Sequence, residues 1–294
     1  MFDLDDLEIF RSVAREGGVM RAASRLHRVP SNVTTRVKQC EERLGVRLFR
    51  RQGRGLSLTD EGRVLLVHAE RLLQMAELAE QEMKSGVVRG MLRLGSLEST
   101  AGVRLPPLLS EFHARHPDVT VELRTGTTDS LLRRLETFEV EAAFVSEPFE
   151  RGTLSALPVF EEELVLVTAK GSPAPRRARD LGGRTLVAFP HGCSYRRRLI
   201  EWLAETGASP RRFLDLGSYH AIVACVAAGA GVAIVPADVL EHGVLAAGLQ
   251  RHPLPARFRM NRTHLVWPGE ASAPLRAFIE LLPKLRGRAQ AMKR

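Results

Sequence analysis

The first 45 residues show apolar positions with helical spacing, which predicts three helices. The first covers residues 4–16, and its buried face is made of residues three or four positions apart: Leu4, Leu7, Phe10 and Ala14. A second, short helix is expected over residues 19–26. The third helix has a single apolar stripe: Val33, Val37, Cys40 and Leu44. Pro30 fits the first turn of this helix, because an N–H has no intrahelical partner there.

The face of the third helix opposite its apolar stripe carries short hydrogen-bonding side chains and one cation. These residues are Ser31, Asn32, Thr34, Thr35 and Lys38. A face that is merely solvated usually mixes both signs of charge along its length, whereas this one has no acid before Glu41. It suits a DNA groove, where short polar groups approach bases and phosphates.

The next segment favours a small basic hairpin. Residues 48–50 and 56–58 have strand-like patterns and flank a tip rich in glycine and arginine. Three arginines, Arg50, Arg51 and Arg54, suit a wing that follows the DNA backbone or enters a minor groove. Helix, turn, helix and hairpin together predict a winged helix-turn-helix. The alternative is a small helical domain that contacts protein.

From residue 59 to about residue 85 the apolar spacing changes to a heptad pattern. The seam consists of Leu65, Ala69, Leu72, Ala76, Ala79 and Met83. Thr59 can cap this helix, and two acids follow in its first turn. We predict a linker helix that joins two DNA-reading domains in a homodimer or homotetramer. The alternative is that the stripe packs on its own chain.

The remaining two thirds of the chain contain two similar series of strands and helices. The first series has strands at 91–97, 119–125 and 141–146 with helices at 103–115 and 128–137. The second has strands at 184–188, 211–216 and 231–236 with helices at 195–206 and 218–228. Such alternation predicts two α/β lobes built on parallel sheets. Strand-like segments at 153–160 and 163–169 link the lobes, and a strand at 263–268 and a final helix from about residue 274 lead back.

Polar residues cluster where the strands of both lobes end and the helices begin, which is where ligands bind in open α/β sheets. The candidates are Ser96, Glu98, Ser99, Thr100, Thr127, Thr128, His191, Cys193, Ser194, Ser218 and Tyr219. Hydroxyls beside unpaired helix N–H groups suit a carboxylate or a similar polar group, so we expect a polar or anionic small-molecule effector. The strongest set is Ser99, Thr100, Thr128 and Ser194. Each residue also has an alternative role as an ordinary helix cap.

Composition narrows the classes of protein. The 294 residues carry a formal charge of +9, and residues 1–58, with 12 Arg and Lys against 7 Asp and Glu, are the most basic block. A polyanion is therefore an expected partner. No run of about 18 apolar residues is present, so we expect no membrane span. The N-terminus has no basic and then apolar leader, so we expect a cytoplasmic protein.

Few residues point to catalysis, metals or cofactors. Three scattered cysteines argue against a disulfide framework or a zinc cluster. Cys193 near a helix start raises the alternative of a redox switch with a lowered pKa. His191, Cys193 and His220 raise the alternative of metal sensing. The stretch "GAGVAIV" precedes a strand instead of opening a helix, so it does not fit a nucleotide-binding loop. We therefore expect no cofactor, no resident metal and no enzymatic activity.

The N-terminal motifs resemble those of the LysR-type transcriptional regulators, a large bacterial family. The matching stretches are "LEIFRSVAREGG", "RAASRLHRVPSNVTTRVKQCEERLGVRLFRR" and "GLSLTDEG", followed in order by "LRLGSLESTAGVRLPPLL", "GCSYRRRLIEWL" and "AAGAGVAIVP". The resemblance implies an N-terminal DNA reader, a linker helix and a C-terminal effector-sensing domain with the two-lobed periplasmic-binding-protein fold. It places DNA contacts at Pro30, Ser31, Thr34 and Thr35, with Arg54 in the wing.

This chain departs from the family pattern at three positions. Many members carry glutamine where Pro30 stands, arginine or alanine where Thr35 stands, and threonine where Met20 stands. Because Pro30 cannot read a base edge by hydrogen bonding, we expect fewer direct base contacts. More of the recognition then rests on phosphates and on DNA shape.

The sequence thus predicts an α/β multidomain protein that regulates transcription under the control of a small molecule. We assign residues 1–58 to the winged helix-turn-helix, 59–87 to the linker and 88–294 to the effector domain. Within that domain we expect lobe I at about 88–167 and 267–294, and lobe II at about 168–266. Double-stranded promoter DNA is the expected partner, and RNA polymerase is a further candidate. The alternative from another class is a small-molecule-binding protein whose basic N-terminal domain serves assembly only.

Overall fold

The computed structural model describes residues 3–52, 55–83, 88–175, 177–241 and 247–283, without the side chains of residues 74, 77, 78 and 81–83. Two compact units are present. One consists of residues 1–87 with 136–139, and the other of residues 88–135 with 140–294.

The first unit has the predicted order of elements. They are α1 (Leu4–Glu16), α2 (Val19–Arg25), α3 (Pro30–Leu44), β1 (Phe49–Gln52), β2 (Gly55–Leu58) and α4 (Asp60–Met83). Asp3 caps α1, since its Oδ1 accepts a hydrogen bond from Asp5 N at 3.0 Å. Gly17 ends α1 with a φ of 64°. Pro30 occupies the first turn of α3, as the sequence predicted.

The hairpin is attached to the three-helix core on both sides. β1 and β2 pair antiparallel, with Phe49 opposite Leu58. Leu56 N donates a hydrogen bond to the carbonyl oxygen of Gly17, at 3.1 Å, so the hairpin is tied to the end of α1. The core between the helices and the hairpin is formed by Leu7, Phe10, Cys40, Leu48, Leu65 and Ala69, all of them buried.

The second unit contains most of the strands. In chain order its elements are β3 (Gly90–Ser96), a π-helical turn (Thr100–Arg104), α5 (Leu105–Arg115), β4 (Val119–Thr125), α6 (Thr128–Glu136), β5 (Ala142–Ser146), β6 (Ser155–Ala169), a 3₁₀ turn (Ala178–Leu181), β7 (Thr185–Ala188), α7 (Ser194–Ala204), β8 (Arg212–Asp215), α8 (Tyr219–Ala227), β9 (Ala233–Pro236), α9 (Ala237–Glu241), β10 (Leu249–Pro253), α10 (Ala256–Arg259), β11 (Met260–Trp267) and α11 (Ala273–Leu281).

These elements form two lobes, each with its own core. Lobe I packs α5 and α11 on β3, β4 and β5, around Leu92, Leu94, Phe112, Phe144 and Phe278. Lobe II packs α7 and α8 on β7 and β9, around Leu186, Leu199, Ile222, Val226 and Val235. The two lobes and the return of the final helix to lobe I confirm the predicted architecture.

The sheets are mixed, whereas the sequence predicted parallel ones. β3 pairs parallel with β4 and β5, and β7 pairs parallel with β8. β6, β9, β10 and β11 add antiparallel pairs. The prediction therefore holds only within the repeating strand-and-helix parts. β10, α9, α10 and the 3₁₀ turn were not predicted, and the helix expected at 103–115 is preceded by the π-helical turn.

One strand, β6, runs through both lobes, although the sequence predicted two separate segments there. The acidic residues 161–163 interrupt the apolar pattern, yet they pair with residues 260–262 of β11 and keep the strand continuous. Residues 164–167 already pack in the core of lobe II. Leu265 packs in the core of lobe I. The predicted lobe boundaries at 167 and 267 are therefore several residues too late, and the crossings lie near residues 163 and 260.

Candidate nucleic-acid interface and effector site

The predicted DNA-reading face of α3 is open to solvent. Ser31, Asn32, Thr35 and Lys38 are exposed, while Val33 and Cys40 on the opposite side are buried. Thr34 is half-buried, and its Oγ1 donates a hydrogen bond to the Pro30 carbonyl oxygen at 2.9 Å. Its hydroxyl proton is therefore engaged within the helix.

Ion pairs with the start of α1 hold α3 in place. Arg36 Nε lies 2.8 Å from Asp6 Oδ1, and Arg36 Nη2 lies 3.1 Å from Asp3 Oδ2. The carboxylate of Asp5 accepts hydrogen bonds from both Nη atoms of Arg28, at 2.6 and 2.9 Å. The N–H of Asp5 and the guanidinium of Arg36 lower the pKa of Asp3. The three acids at the N-terminus thus neutralise arginines beside the reading face.

A hollow of about 840 Å³ separates α3 from the hairpin. It is lined by Gly17, Gly18, Val19, Met20, Arg21, Thr34, Val37, Lys38, Glu41, Arg47, Phe49, Arg51, Gly55 and Leu56. Its one acid, Glu41, accepts hydrogen bonds from Leu48 N at 2.8 Å and Phe49 N at 3.2 Å, and pairs with Arg47 at 2.9 Å. Its charge is therefore satisfied inside the fold.

The side chains that line this hollow carry a net positive charge. Across the part of the chain that is described, Lys38 and Arg51 form no ion pair, and both side chains reach solvent. Arg50 is exposed and its Nε donates to Ser57 Oγ at 3.3 Å. Arg54 falls outside the described residues. The surface between α3 and the hairpin thus presents cations whose charge no acid of the described residues cancels.

The predicted seam of α4 divides into two parts. Leu65 and Ala69 are buried against Leu7 and Phe10 of their own chain, so assigning them to a dimer seam was wrong. The reason is that α4 begins directly after the hairpin and packs its first turns on α1. Leu72 is 46% exposed, and Ala79 is exposed, with Ala76 half-buried. The side chain of Met83 lies outside the described residues.

The predicted effector residues lie where the two lobes meet. Six of them are buried: Ser96, Ser99, Thr100, Thr128, Ser194 and Tyr219. Four are half-buried, namely Glu98, Thr127, Cys193 and Ser218, and His191 is exposed. Contacts cross between the lobes: Tyr219 N donates to Glu98 Oε1 at 3.4 Å, and Asp129 N donates to Gly192 O at 3.4 Å. Arg104 also forms an ion pair with Asp238. The lobes are therefore closed on each other at this edge of the sheets.

Several of these residues have local partners. Thr127 Oγ1 accepts from Ser130 N at 3.4 Å, Thr128 Oγ1 accepts from Ser146 N at 3.2 Å, and Ser96 Oγ donates to the Leu97 carbonyl at 3.0 Å. Hydrogen bonds within lobe I thus account for these three hydroxyls. The side chains of Cys193 and Ser218 precede helices without capping them. Thr100 Oγ1 is buried and forms no hydrogen bond with any described residue.

The redox and metal alternatives find no support. Burial raises the pKa of the Cys193 thiol, the opposite of the lowered value that a reactive cysteine needs. His191 and His220 are both exposed. Among the described residues, no group of three or more His, Cys, Asp or Glu side chains is arranged to hold a metal ion.

A buried polar cluster between the lobes was not predicted. Glu162 of β6 accepts a hydrogen bond from the Tyr195 hydroxyl at 2.6 Å and another from Asn261 Nδ2 at 3.2 Å. Asn261 Oδ1 in turn accepts from Ser146 Oγ at 2.7 Å and from Arg198 Nη2 at 3.1 Å. Burial raises the pKa of Glu162. The available signal was a single acid on the inward side of an otherwise apolar strand.

Comparison with known families decides the identity of the chain. Residues 4–63 match the family model of the lysR family of bacterial regulatory helix-turn-helix proteins, and residues 85–286 match the LysR substrate binding domain. The chain belongs to the LysR family of transcriptional regulators. It is accordingly a DNA-binding regulator with an effector-binding domain.

Curated relatives cover nearly the whole of this LysR regulator. The HTH-type transcriptional regulator YofA of Bacillus velezensis is 37% identical over 282 residues, which is 96% of each chain. The HTH-type transcriptional regulator GltR of Bacillus subtilis is 34% identical over 261 residues, or 88% of each.

Solved structures share the fold of this LysR regulator. A full-length variant of OxyR from Pseudomonas aeruginosa has a TM-score of 0.74 and 21% identity, with 96% of this chain and 93% of that one covered. Full-length CbnR in complex with its target DNA has a TM-score of 0.66 and 23% identity, with 96% and 99% covered. Within the described ranges, no helix has the length and apolar character needed to cross a bilayer.

Proposed function

We propose that this LysR regulator recognises its DNA sequence with the solvent-facing side of α3, while the β1–β2 hairpin contacts the backbone. The observation that carries this proposal is the surface of Ser31, Asn32, Thr35 and Lys38, which is open to solvent and contains no acid. The hollow between α3 and the hairpin adds Arg51, so it suits the sugar–phosphate strand that borders a groove.

Direct reading of bases rests on few side chains. Pro30 offers no N–H, and the Thr34 hydroxyl is bonded to the Pro30 carbonyl. Ser31, Asn32 and Thr35 are therefore the residues that reach base edges, and Lys38 and Arg51 bind phosphates. Recognition then depends strongly on counterion release and on the shape of the DNA.

The regulator acts as a homodimer or homotetramer in this proposal. The outer side of α4 leaves apolar side chains in solvent, with Val64 61% exposed, Leu72 46% exposed and Met75 67% exposed. Exposed apolar residues on one helix favour an interface with a second copy. A second reading domain also supplies the affinity and specificity that one small domain rarely provides.

A small molecule that binds between the lobes controls DNA binding in this proposal. The hydrogen bonds between Tyr219 and Glu98 and between Asp129 and Gly192 join the lobes where the predicted effector residues lie. An effector that has different affinities for two lobe arrangements shifts the population between them. The protein acts in the cytoplasm and catalyses no reaction.

The test is DNA binding by the full-length protein at several salt concentrations. Fluorescence anisotropy with the DNA that flanks its own gene should give an affinity at least about a thousandfold tighter than with random DNA, and a steep loss with salt. Equal, weak binding to both DNAs would instead support the alternative that the N-terminal domain serves assembly only.

A further inference from the structure

Val29 is an apolar residue that lies in solvent at the N-terminal end of α3. It is 67% exposed, and the apolar clusters that the described part of this unit forms do not include it. It directly precedes Pro30, Ser31 and Asn32, the first residues of the reading helix. Val29 therefore extends the proposed DNA-reading face at its leading end with a hydrocarbon surface.

Valine is an unfavourable residue for this position of the helix. Val29 is the N-cap of α3, and its side chain forms no capping hydrogen bond. Serine, threonine, asparagine or aspartate at an N-cap accepts a hydrogen bond from an N–H of the first turn, whereas valine has no acceptor to offer. A residue that weakens its own helix and packs in no core points to a role outside the fold.

The backbone holds the Val29 side chain in a fixed place relative to α3. The Val29 carbonyl oxygen accepts hydrogen bonds from Asn32 N at 3.0 Å and from Val33 N at 3.3 Å. Pro30 restricts the residue before it to extended backbone, and Val29 accordingly has a φ of −76° and a ψ of 134° to 135° at most. A β-branched side chain on such a backbone has few rotamers, so it loses little entropy when it contacts a partner.

DNA offers one apolar group that suits an exposed valine at this end of the helix. Pro30 has no N–H and the Thr34 hydroxyl is bonded within α3, so few side chains of this helix can read bases by hydrogen bonding. The N-terminal residues of a recognition helix approach base edges in the major groove. The apolar group displayed there is the C5 methyl of thymine. Val29 can pack against that methyl, whereas it forms no favourable contact with a phosphate.

We propose that Val29 is a specificity-determining residue that packs against the C5 methyl group of a thymine in each half of the DNA site. The inference rests on the proposed reading of DNA by α3, and it names a base that this face recognises. Loss of one thymine methyl from the contact should lower the affinity about fourfold. With two reading domains in a homodimer, loss of both methyls should lower it about fifteenfold.

Binding of the full-length protein to DNA that carries uracil in place of thymine tests the proposal. Uracil lacks only the C5 methyl, so the hydrogen bonds of the base pair are unchanged. The protected DNA beside the protein's own gene is synthesised with uracil at one position of both half-sites at a time, and fluorescence anisotropy measures the affinity. Wild type should lose about fifteenfold in affinity at one such position. Val29→Ser should bind the thymine DNA more weakly by about that factor and respond to uracil there by less than about twofold.

Val46→Ser is the matched control, because Val46 is a 38% exposed valine of the same unit that lies beyond the other end of α3. It should keep the wild-type affinity and the wild-type response to uracil. Val29→Ser should fold, since serine can cap α3, and its melting temperature should equal or exceed that of wild type. Its binding to random DNA should stay at the wild-type level, because the attraction of the phosphates is unchanged.

Several outcomes overturn the proposal. They are a wild type that is insensitive to uracil at every position, a Val29→Ser variant that keeps the full wild-type response, and a melting temperature of Val29→Ser below that of wild type. A changed oligomeric state of Val29→Ser in analytical ultracentrifugation would also overturn it, because a second copy of the chain would then cover this residue. A wild type that discriminates its own DNA from random DNA but ignores the methyl refutes only the role of Val29, whereas equal, weak binding to both DNAs refutes the proposed function itself.

Discussion

Glu70 of α4 forms an ion pair with Arg15 of α1, with 2.8 Å between Glu70 Oε1 and Arg15 Nη2. Its other oxygen lies 3.4 Å from Nη1 of Arg11, which also pairs with Glu8. Glu70 is only 2% exposed, so these charges are held away from water. Together with the packing of Leu65 and Ala69 on α1, the cluster fixes the first half of α4 to the reading domain.

Replacing Glu70 by glutamine should destabilise the N-terminal unit. The change removes the buried carboxylate that Arg11 and Arg15 share, which costs about 3 kcal/mol of unfolding free energy. Urea denaturation of the full chain, followed by circular dichroism, measures the effect. Glu61→Gln is the control, because Glu61 is exposed in the first turn of the same helix. Equal stability of the two variants would show that the buried cluster contributes nothing.

Gly62 is required where α4 passes the hairpin. A Cβ at this position would lie 2.2 Å from the carbonyl oxygen of Leu48, and backbone cannot yield as a side chain can. Gly62→Ala should therefore lower the unfolding free energy by about 3 kcal/mol. At Gly18, which has extended backbone and nothing within 4 Å of a Cβ, alanine should cost less than about 1 kcal/mol. Thermal denaturation measures both variants. Equal melting temperatures for Gly62→Ala and Gly18→Ala would contradict this geometry.

Lys38→Ala should weaken DNA binding and reduce its dependence on salt. If Lys38 neutralises one phosphate, the slope of log affinity against log salt concentration falls by about 1, for specific and for random DNA alike. Lys170→Ala, an exposed lysine of the second unit, is the matched control and should leave the slope unchanged. An unchanged slope in Lys38→Ala would place this side chain away from the phosphates.

The pH dependence of stability should report on Glu162. Because burial raises its pKa in the folded chain, the folded state binds the proton more tightly than the unfolded state, whose value is 4.5. The stability from this group is then complete below pH 4.5 and is lost as pH rises through the raised pKa. Glutamine cannot titrate, so the unfolding free energy of Glu162→Gln relative to wild type should increase as the pH rises above 4.5 and through the raised pKa.

Urea denaturation at stepped pH provides the measurement. Glu163→Gln, which removes the exposed neighbouring carboxylate on the same strand, is the matched control. A constant difference for Glu162→Gln would mean that the buried carboxylate titrates as in water.

The N-terminal fold could be predicted from the sequence because its signals are local. The cap at Asp3, the glycine at Gly17 and the early position of Pro30 in α3 each act within one helical turn. The solvent-facing side of α3 follows from the same periodicity. A heptad pattern does not specify which partner covers it, so the sequence left open that the stripe packs on its own chain, as Leu65 and Ala69 do.

The junction of the lobes depends on contacts between residues far apart in sequence. Glu162 is one of three consecutive acids, and strand alternation places it on the same side as Phe160 and Leu164. Its pairing opposite Asn261 and the approach of Tyr195 show how it is buried. In the same way, Cys193 has the position of a reactive helix-start cysteine, but the packing around it raises its pKa. Local patterns carry no information on such desolvation, so charges and pKa shifts at this junction required the structure.

The central claim is that the solvent-facing side of α3 reads DNA, and footprinting on the DNA that flanks the protein's own gene tests it most directly. Full-length wild type is compared with Ser31→Glu and Lys38→Glu, which place an acid on that face, and with Lys170→Glu as the control. The account predicts one protected segment for wild type and Lys170→Glu, and its loss in both α3 variants at unchanged circular dichroism. Full protection of the same segment by the folded α3 variants would contradict it.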